Sequence, residues 1–243
     1  MAVVAVYSVK GGVGKTTLAV SLAWSAATTS GRRTLLWDLD PQGGSGYLLG
    51  IEPGTRAQAA GVLARDVDPA KAICSTGIDR LDLLPADDSL RGLDSLFQRL
   101  GKRRRLAKLL EGLSSTYERI VLDCAPGLDE TSAQILRAAD LVVVPLPPSP
   151  LARRALETIR DELSRNHKRH PPLLPVLSMV DARRRIHREA REEFPDWPVI
   201  PMSSQIEQIA VRRAPIGTFA AASEPAHALD RLWAGIERRL VAP

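Results

Sequence analysis

The sequence predicts an α/β fold, doubly wound, with a mostly parallel sheet and helices on both faces. Three observations lead there. Short apolar, β-branched runs recur along the chain, at residues 3–7, 34–37, 120–122 and 141–144 among others. These runs are apolar throughout rather than alternating, as strands covered on both sides must be. Stretches with helical spacing separate most of them, which is the alternation that parallel strands need for their crossovers. The 243 residues are 44% hydrophobic and 25% charged, the balance of a globular protein long enough to bury a core without disulfides.

In chain order, a strand is expected over residues 3–7, then a glycine loop and a helix through Leu18, Leu22 and Trp24. A second strand at 34–37 ends in Asp38, and further strands are expected at 81–84, 120–122, 141–144, 173–177 and 199–200. Helical patterns fall at about 55–65, 89–111, 129–139, 150–168, 183–193, 204–213 and 226–241. The proline-rich stretch 145–150 follows a strand directly, so it reads as a stiff turn that starts a helix at Leu151, not as a linker. With no internal repeat and no dividing linker, residues 1–243 are expected to form one domain.

Composition excludes several classes. Cys74 and Cys124 are too few for a disulfide scaffold or a four-thiolate metal site. No apolar run approaches the ~20 residues of a membrane span. The start lacks a basic region and leads into a glycine loop, which argues against a signal peptide and for a cytoplasmic protein. The net charge is +5, and most of the excess falls after residue 150, carried by arginine. Such a bias is compatible with a polyanion partner without establishing one.

The chemistry begins between the first strand and helix, at Lys10-Gly11-Gly12-Val13-Gly14-Lys15-Thr16-Thr17. Glycines let successive backbone N–H groups turn inward around phosphate oxygens, and the helix N-terminus adds its positive dipole. Lys15 then supplies charge for the β- and γ-phosphates, and the Thr16 hydroxyl can ligate Mg²⁺. The general G-x-x-x-x-G-K-[ST] pattern is broken, because Val9 stands at its first glycine, and an extra lysine, Lys10, precedes the paired glycines. Two carboxylate stations follow at strand ends: Asp38-Leu39-Asp40-Pro41-Gln42 and Asp123-Cys124-Ala125-Pro126. In an open parallel sheet these ends share one crevice with the phosphate loop. Asp123 has the strand context of a carboxylate that holds Mg²⁺. Strand-end aspartates also serve as caps and turn residues, and it is the phosphate loop that favours a ligand role.

The double-lysine loop resembles the deviant Walker A motif of the ParA/MinD class of P-loop ATPases, and the D-x-D-P-Q segment is similar to the second signature of that family. The segments Ala138-Ala139-Asp140-Leu141-Val142-Val143-Val144-Pro145 and Val199-Ile200-Pro201-Met202-Ser203 continue the resemblance. It implies ATP and Mg²⁺ as cofactors, and a homodimer with ATP in which Lys10 contacts the opposite nucleotide. It implies that Asp40 positions the attacking water and that Asp38 supports the metal and its loop. The loops at Met179, Pro201 and Met202 are implied to lie near the nucleoside. No Asn-Lys-x-Asp guanine-reading motif is present, which favours ATP over GTP.

The resemblance also implies a matrix for the dimer, either nonspecific DNA or a membrane. Clustered arginine without aromatics suits phosphate contacts. The expected DNA contacts are Arg191, Arg212 and Arg213, with Glu189, Glu192 and Glu193 leaving a solvated helix face as the alternative. Lys102–Arg105 are taken as surface. Leu229, Leu232, Trp233, Ile236 and Leu240 share one helical face. That face suits an interfacial anchor, but the family's fold ends in such a helix, so it is assigned to the core and no membrane contact is expected. The function so implied is a ParA-type switch, cytoplasmic and nucleoid-associated with ATP, stimulated by a ParB-like or cargo-adaptor activator to segregate DNA or position another cargo. A MinD-like membrane-surface ATPase, a ligase of the dethiobiotin/cobyrinate synthetase group and a non-hydrolysing adaptor remain as alternatives.

Overall fold

The computed structural model describes residues 1–52, 59–100, 104–166 and 170–241. The beginning of the helix expected at 55–65, the middle of that at 89–111, the end of that at 150–168, and Lys102 and Arg103 lie outside the described residues.

One eight-stranded sheet organises the chain. Its strands are β1 (Ala2–Val6), β2 (Thr34–Asp38), β3 (Cys74–Ser75), β4 (Leu81–Leu84), β5 (Arg119–Asp123), β6 (Leu141–Leu146), β7 (Leu173–Val180) and β8 (Val199–Pro201). Their order in the sheet is β3-β4-β2-β5-β1-β6-β7-β8. β3 runs antiparallel to β4 and the other pairs are parallel. The predicted doubly wound architecture is therefore the one found.

Two apolar layers explain why the strand sequences are apolar throughout. Val3, Ala5 and Tyr7 enter one cluster with Leu35 and Trp37, whereas Val4 and Val6 enter the other with Leu36. Successive side chains of a strand point to opposite faces, so helices on both faces require apolar residues at every position. The first layer is completed by α3 (Ala59–Ala64), α5 (Leu93–Leu100), α6 (Arg105–Gly112), α7 (Glu130–Ala138) and α8 (Pro150–Asn166). The second is completed by α1 (Lys15–Thr28), α2 (Gly44–Leu48), α10 (Ser204–Arg212) and α11 (Glu224–Val241). On α11, Leu229, Leu232, Trp233 and Ile236 are buried, and the indole of Trp233 donates to Ser30 Oγ at 2.9 Å. That helix belongs to the core, as expected.

Three features depart from the sequence reading. The long helix expected at 89–111 is a 3₁₀ turn (Asp88–Gly92) followed by α5 and α6. Arg104, the N-cap of α6, has a non-helical backbone (φ −128°, ψ 31°), so a new helix starts there. The small elements β3, α2 and α4 (Pro69–Ala72) were not anticipated, being too short to show a period. Finally, Arg105 is not a surface residue. It is buried, and its guanidinium donates to the carbonyls of Leu63 and Ala64 while its backbone N–H donates to Gln134 Oε1 at 3.1 Å. Those carbonyls end α3, where they have no helical partner, so a cation closes the helix C-terminus.

Candidate functional site

Sheet register builds the site before any side chain is considered. Asp123 at the end of β5 pairs with Val6 at the end of β1 on one side and with Asp38 at the end of β2 on the other. Adjacent strands lie about 4.8 Å apart, so both aspartates end level with the start of the phosphate loop. The neighbours of β1 are β5 and β6, reached in opposite directions, and a parallel sheet opens its ligand crevice at such a point.

The loop that leaves β1 has the backbone its glycines allow. Gly12 (φ 70°) and Gly14 (φ 88°) are left-handed, and Gly14 is the N-cap of α1. A side chain at Gly14 would also crowd Met179, whose Cε lies 3.4 Å from where a Cβ would stand. Among the described residues no side chain caps α1, and its first turn carries no acidic residue, so its N–H groups face outward for an anion. Lys15 is buried, with Nζ donating to the Lys10 carbonyl at 3.2 Å. Gly11 and Gly12 are exposed and Lys10 is half-buried at the mouth of the loop.

The carboxylates divide their tasks. Asp38 is buried, with Oδ1 accepting from the Asp40 N–H and Oδ2 from the Ser45 N–H, both at 3.0 Å. Asp123 is buried too; Oδ2 accepts from Ser45 Oγ at 2.9 Å, while Oδ1 has no hydrogen-bond partner among the described residues. Burial pushes the Asp123 carboxyl up to about 6, against the opposing hydroxyls of Ser45 and Thr16. Burial and the neighbouring Asp123 raise Asp38 well above the usual carboxylate range. Asp40 is half-buried and its Oδ1 accepts from the Gln42 N–H at 3.0 Å, so it also shapes a turn. Thr16 stands on the same side, and Gly44 passes so close that a Cβ there would be 2.9 Å from Thr16 Cγ2.

These residues fit a divalent cation. A buried, unpartnered carboxylate oxygen with a raised pKa is what a hard cation relieves, and the Thr16 hydroxyl adds a second oxygen. No group of three or more His, Cys, Asp or Glu suited to a metal occurs among the described residues. The chemistry matches an ion held by one or two protein oxygens together with phosphates and water, as Mg²⁺ commonly is.

Beside the loop lies a pocket of about 120 Å³ lined by Val13, Gly14 and Thr17 on one side and by Met179, Pro201 and Met202 on the other. The structure thus brings the three expected base-proximal residues together around the phosphate loop. Ser178 lines the same pocket, with a buried hydroxyl that has no partner among the described residues. One residue was missed by the sequence reading: Ser45, which bridges Asp38 and Asp123. A serine follows glycines in so many contexts that only the fold reveals what Ser45 touches. Ser178, in the segment 178–181 that the resemblance places near the nucleoside, offers its hydroxyl to the pocket.

The expected DNA contacts do not line one surface. Arg191, on α9 (Arg185–Glu193), lines a groove of about 630 Å³ with Arg231, Arg238 and Arg239 of α11. Arg212 donates to Gln208 Oε1 at 2.9 Å and lies over the Phe219 ring. Arg213 is turned towards α2. Cys124 is fully buried, and burial pushes its thiol well up, as an inert core thiol requires.

A parallel sheet with a glycine loop, a buried lysine and a carboxylate one strand away defines a P-loop nucleotide-binding protein. A family model described as "AAA domain" matches residues 1–175. The sporulation initiation inhibitor protein Soj of Bacillus subtilis is 31% identical over 227 residues, covering 88% of this chain and 89% of that protein. The chromosome partitioning protein ParA of Myxococcus xanthus is 34% identical over 200 residues, 79% of this chain and 69% of its own. Cobyrinic acid a,c-diamide synthase from Mycobacterium smegmatis, solved with an ATP analog and magnesium, superposes with a TM-score of 0.84 at 29% identity over 100% of this chain and 96% of that one. The MinD protein of Pyrococcus horikoshii, complexed with Mg-ADP, shares the fold at a TM-score of 0.80 and 21% identity over 99% of this chain and 97% of that one. The chain belongs to the ParA/MinD family of P-loop ATPases.

Proposed function

We propose that this protein is an ATP-driven switch of the ParA type, built as one domain over residues 1–243. It is an ATPase and takes ATP with Mg²⁺. Gly11, Gly12, Val13, Gly14 and Thr17 supply the cradle around the phosphates, and Lys15 offsets the charge of the β- and γ-phosphates. Thr16 and Asp123 hold Mg²⁺, which neutralises charge on the phosphates, and Asp38 fixes the loop beside them. Asp40 orients the attacking water. Lys10, at the loop mouth, reaches the nucleotide of a second copy in a homodimer. Met179, Pro201 and Met202, joined by Ser178, surround the base.

The observation that carries this reading is the free, buried oxygen of Asp123 beside a loop holding two lysines. In the ATP state the dimer binds nonspecific DNA and so associates with the nucleoid, released when a ParB-like or cargo-adaptor activator stimulates hydrolysis. The groove that joins Arg191 to Arg231, Arg238 and Arg239 is the better DNA face, because these four arginines line it together. The apolar face of α11 lies in the core, which disfavours the membrane-surface alternative.

The test is retention on a long nonspecific duplex with ATP, with ADP and without nucleotide, across a salt series. Retention only with ATP, falling linearly in log salt, supports the reading; equal retention in all three states refutes it. The synthase neighbour favours a second reading, in which ATP activates a small carboxylate for ligation. ATP consumption that depends on an added carboxylate, with a ligated product, would establish that reading instead.

A further inference from the structure

Arg213 caps α10 with a left-handed backbone, φ 52° and ψ 43°, a conformation that residues with a Cβ seldom adopt. Its side chain is turned onto the segment around α2. Nε donates to the Tyr47 carbonyl at 3.1 Å, Nη2 lies 2.6 Å from Glu52 Oε1, and the guanidinium carbon stands 4.8 Å from the centre of the Tyr47 ring. The backbones close on each other as well: a Cβ on Gly50, itself left-handed (φ 71°), would be 3.4 Å from the Arg213 carbonyl oxygen. All of these contacts fall on residues 47–52. Arg212, one residue earlier, stays with its own helix and Phe219.

The two elements joined here both lead to the nucleotide site. α10 begins at the Ser203 cap, and Pro201, Met202, Ser203, Ile206 and Glu207 line the base pocket. Nine helical residues rise about 13 Å, so one rigid element spans from the pocket to Arg213. α2 begins at Gly44, packed on Thr16, and its Ser45 binds both Asp38 and Asp123. A second route therefore connects base and carboxylates, independent of the phosphate loop.

We propose that Arg213 is a positioning residue, a latch through Tyr47 and Glu52 that ties occupancy of the base pocket to the placement of Ser45 between the two carboxylates. The proposal rests on the nucleotide reading above and removes Arg213 from the DNA contacts. Arg213→Gly is the informative variant, because glycine adopts the left-handed backbone freely and the fold survives the loss of the side chain.

Hydrogen exchange of the intact protein, with and without Mg·ADP, tests it. The amides of Leu49, Gly50 and Ile51 close the end of α2. Nucleotide should slow their exchange about tenfold in the wild type, a typical coupling between sites. In Arg213→Gly that slowing should disappear, while the slowing at the start of α1 persists. Single-turnover ATP hydrolysis should fall about tenfold with KM within about twofold, and Tyr47→Phe, which keeps ring and carbonyl, should behave as wild type. Wild-type slowing at residues 49–51 in Arg213→Gly overturns the latch, as does loss of slowing in α1 as well, which would mean that binding itself had failed. Absence of slowing anywhere in the wild type would instead overturn the nucleotide reading, and the latch with it.

Discussion

The ends of β1, β2 and β5 and the surface of α9–α11 behave differently as carriers of function. At the strand ends, residue type and residue position are fixed together: sheet register sets Asp38, Asp123 and the loop after Val6 level with one another. On the helices, charge is plentiful and its use is decided by rotamers and neighbours. Arg191 joins a groove, Arg212 covers Phe219 and Arg213 crosses to α2, although all three looked alike in the sequence. A polar group at the end of a buried strand has few places to go, whereas an arginine on a helix has many.

Substitutions can break this contrast, and the largest effect belongs to the strand-end region. Lys15→Ala should weaken ATP binding at least about 100-fold, near 3 kcal/mol, since a buried charge-assisted contact is lost. Titration with a fluorescent ATP analogue measures it; unchanged affinity would remove the loop from the site. Asp40→Ala should leave binding intact and cut turnover on the order of 100-fold, as loss of a water-orienting group does. Phosphate release under saturating ATP reads this, and undiminished turnover would leave Asp40 only its turn.

A smaller effect concerns pH. In the nucleotide-free protein Asp123 holds its proton up to about 6, while the unfolded chain releases it near the ordinary carboxylate value. The folded state therefore binds the extra proton, and this contribution to stability is full at low pH and is lost as pH rises through about 6. Asp123→Asn has no such loss. Its stability relative to wild type should improve between about pH 4 and 7, by an amount on the order of 2 kcal/mol, followed by urea unfolding. A flat difference would show that the Asp123 environment is wetter than the buried, hydroxyl-lined site described above.

The smallest effect sharpens the other side of the contrast. Arg191→Ala should weaken DNA retention a few-fold and lower the salt slope by about one, as loss of one phosphate contact does. Arg213→Gly should leave that slope unchanged. If the two variants exchanged behaviours in salt-dependent retention, the groove would lose its role and the latch its reason.

Much of the strand-end region could be read from residues alone, because the loop composition and the aspartates after apolar runs carry their own geometry. The register that makes Asp123, rather than Asp38, the carboxylate with an unpartnered oxygen could not. It depends on β5 inserting between β1 and β2, a pairing that no local pattern encodes. Ser45 escaped for the same reason, since its partners lie 7 and 78 residues away. Arg105 was misplaced because a basic run suggests solvent, and only the approach of α3 shows that its carbonyls claim the guanidinium. The α11 face was assigned correctly through the family resemblance, because five apolar residues at helical spacing suit an interfacial anchor as well as a core.

The central claim is a switch in which the γ-phosphate, held at this crevice, decides whether two copies associate. Sedimentation velocity of Asp40→Ala with Mg·ATP and with Mg·ADP measures it most directly, because hydrolysis cannot erase the ATP state. Dimer with ATP and monomer with ADP is the predicted result; the same species with both nucleotides would contradict the account.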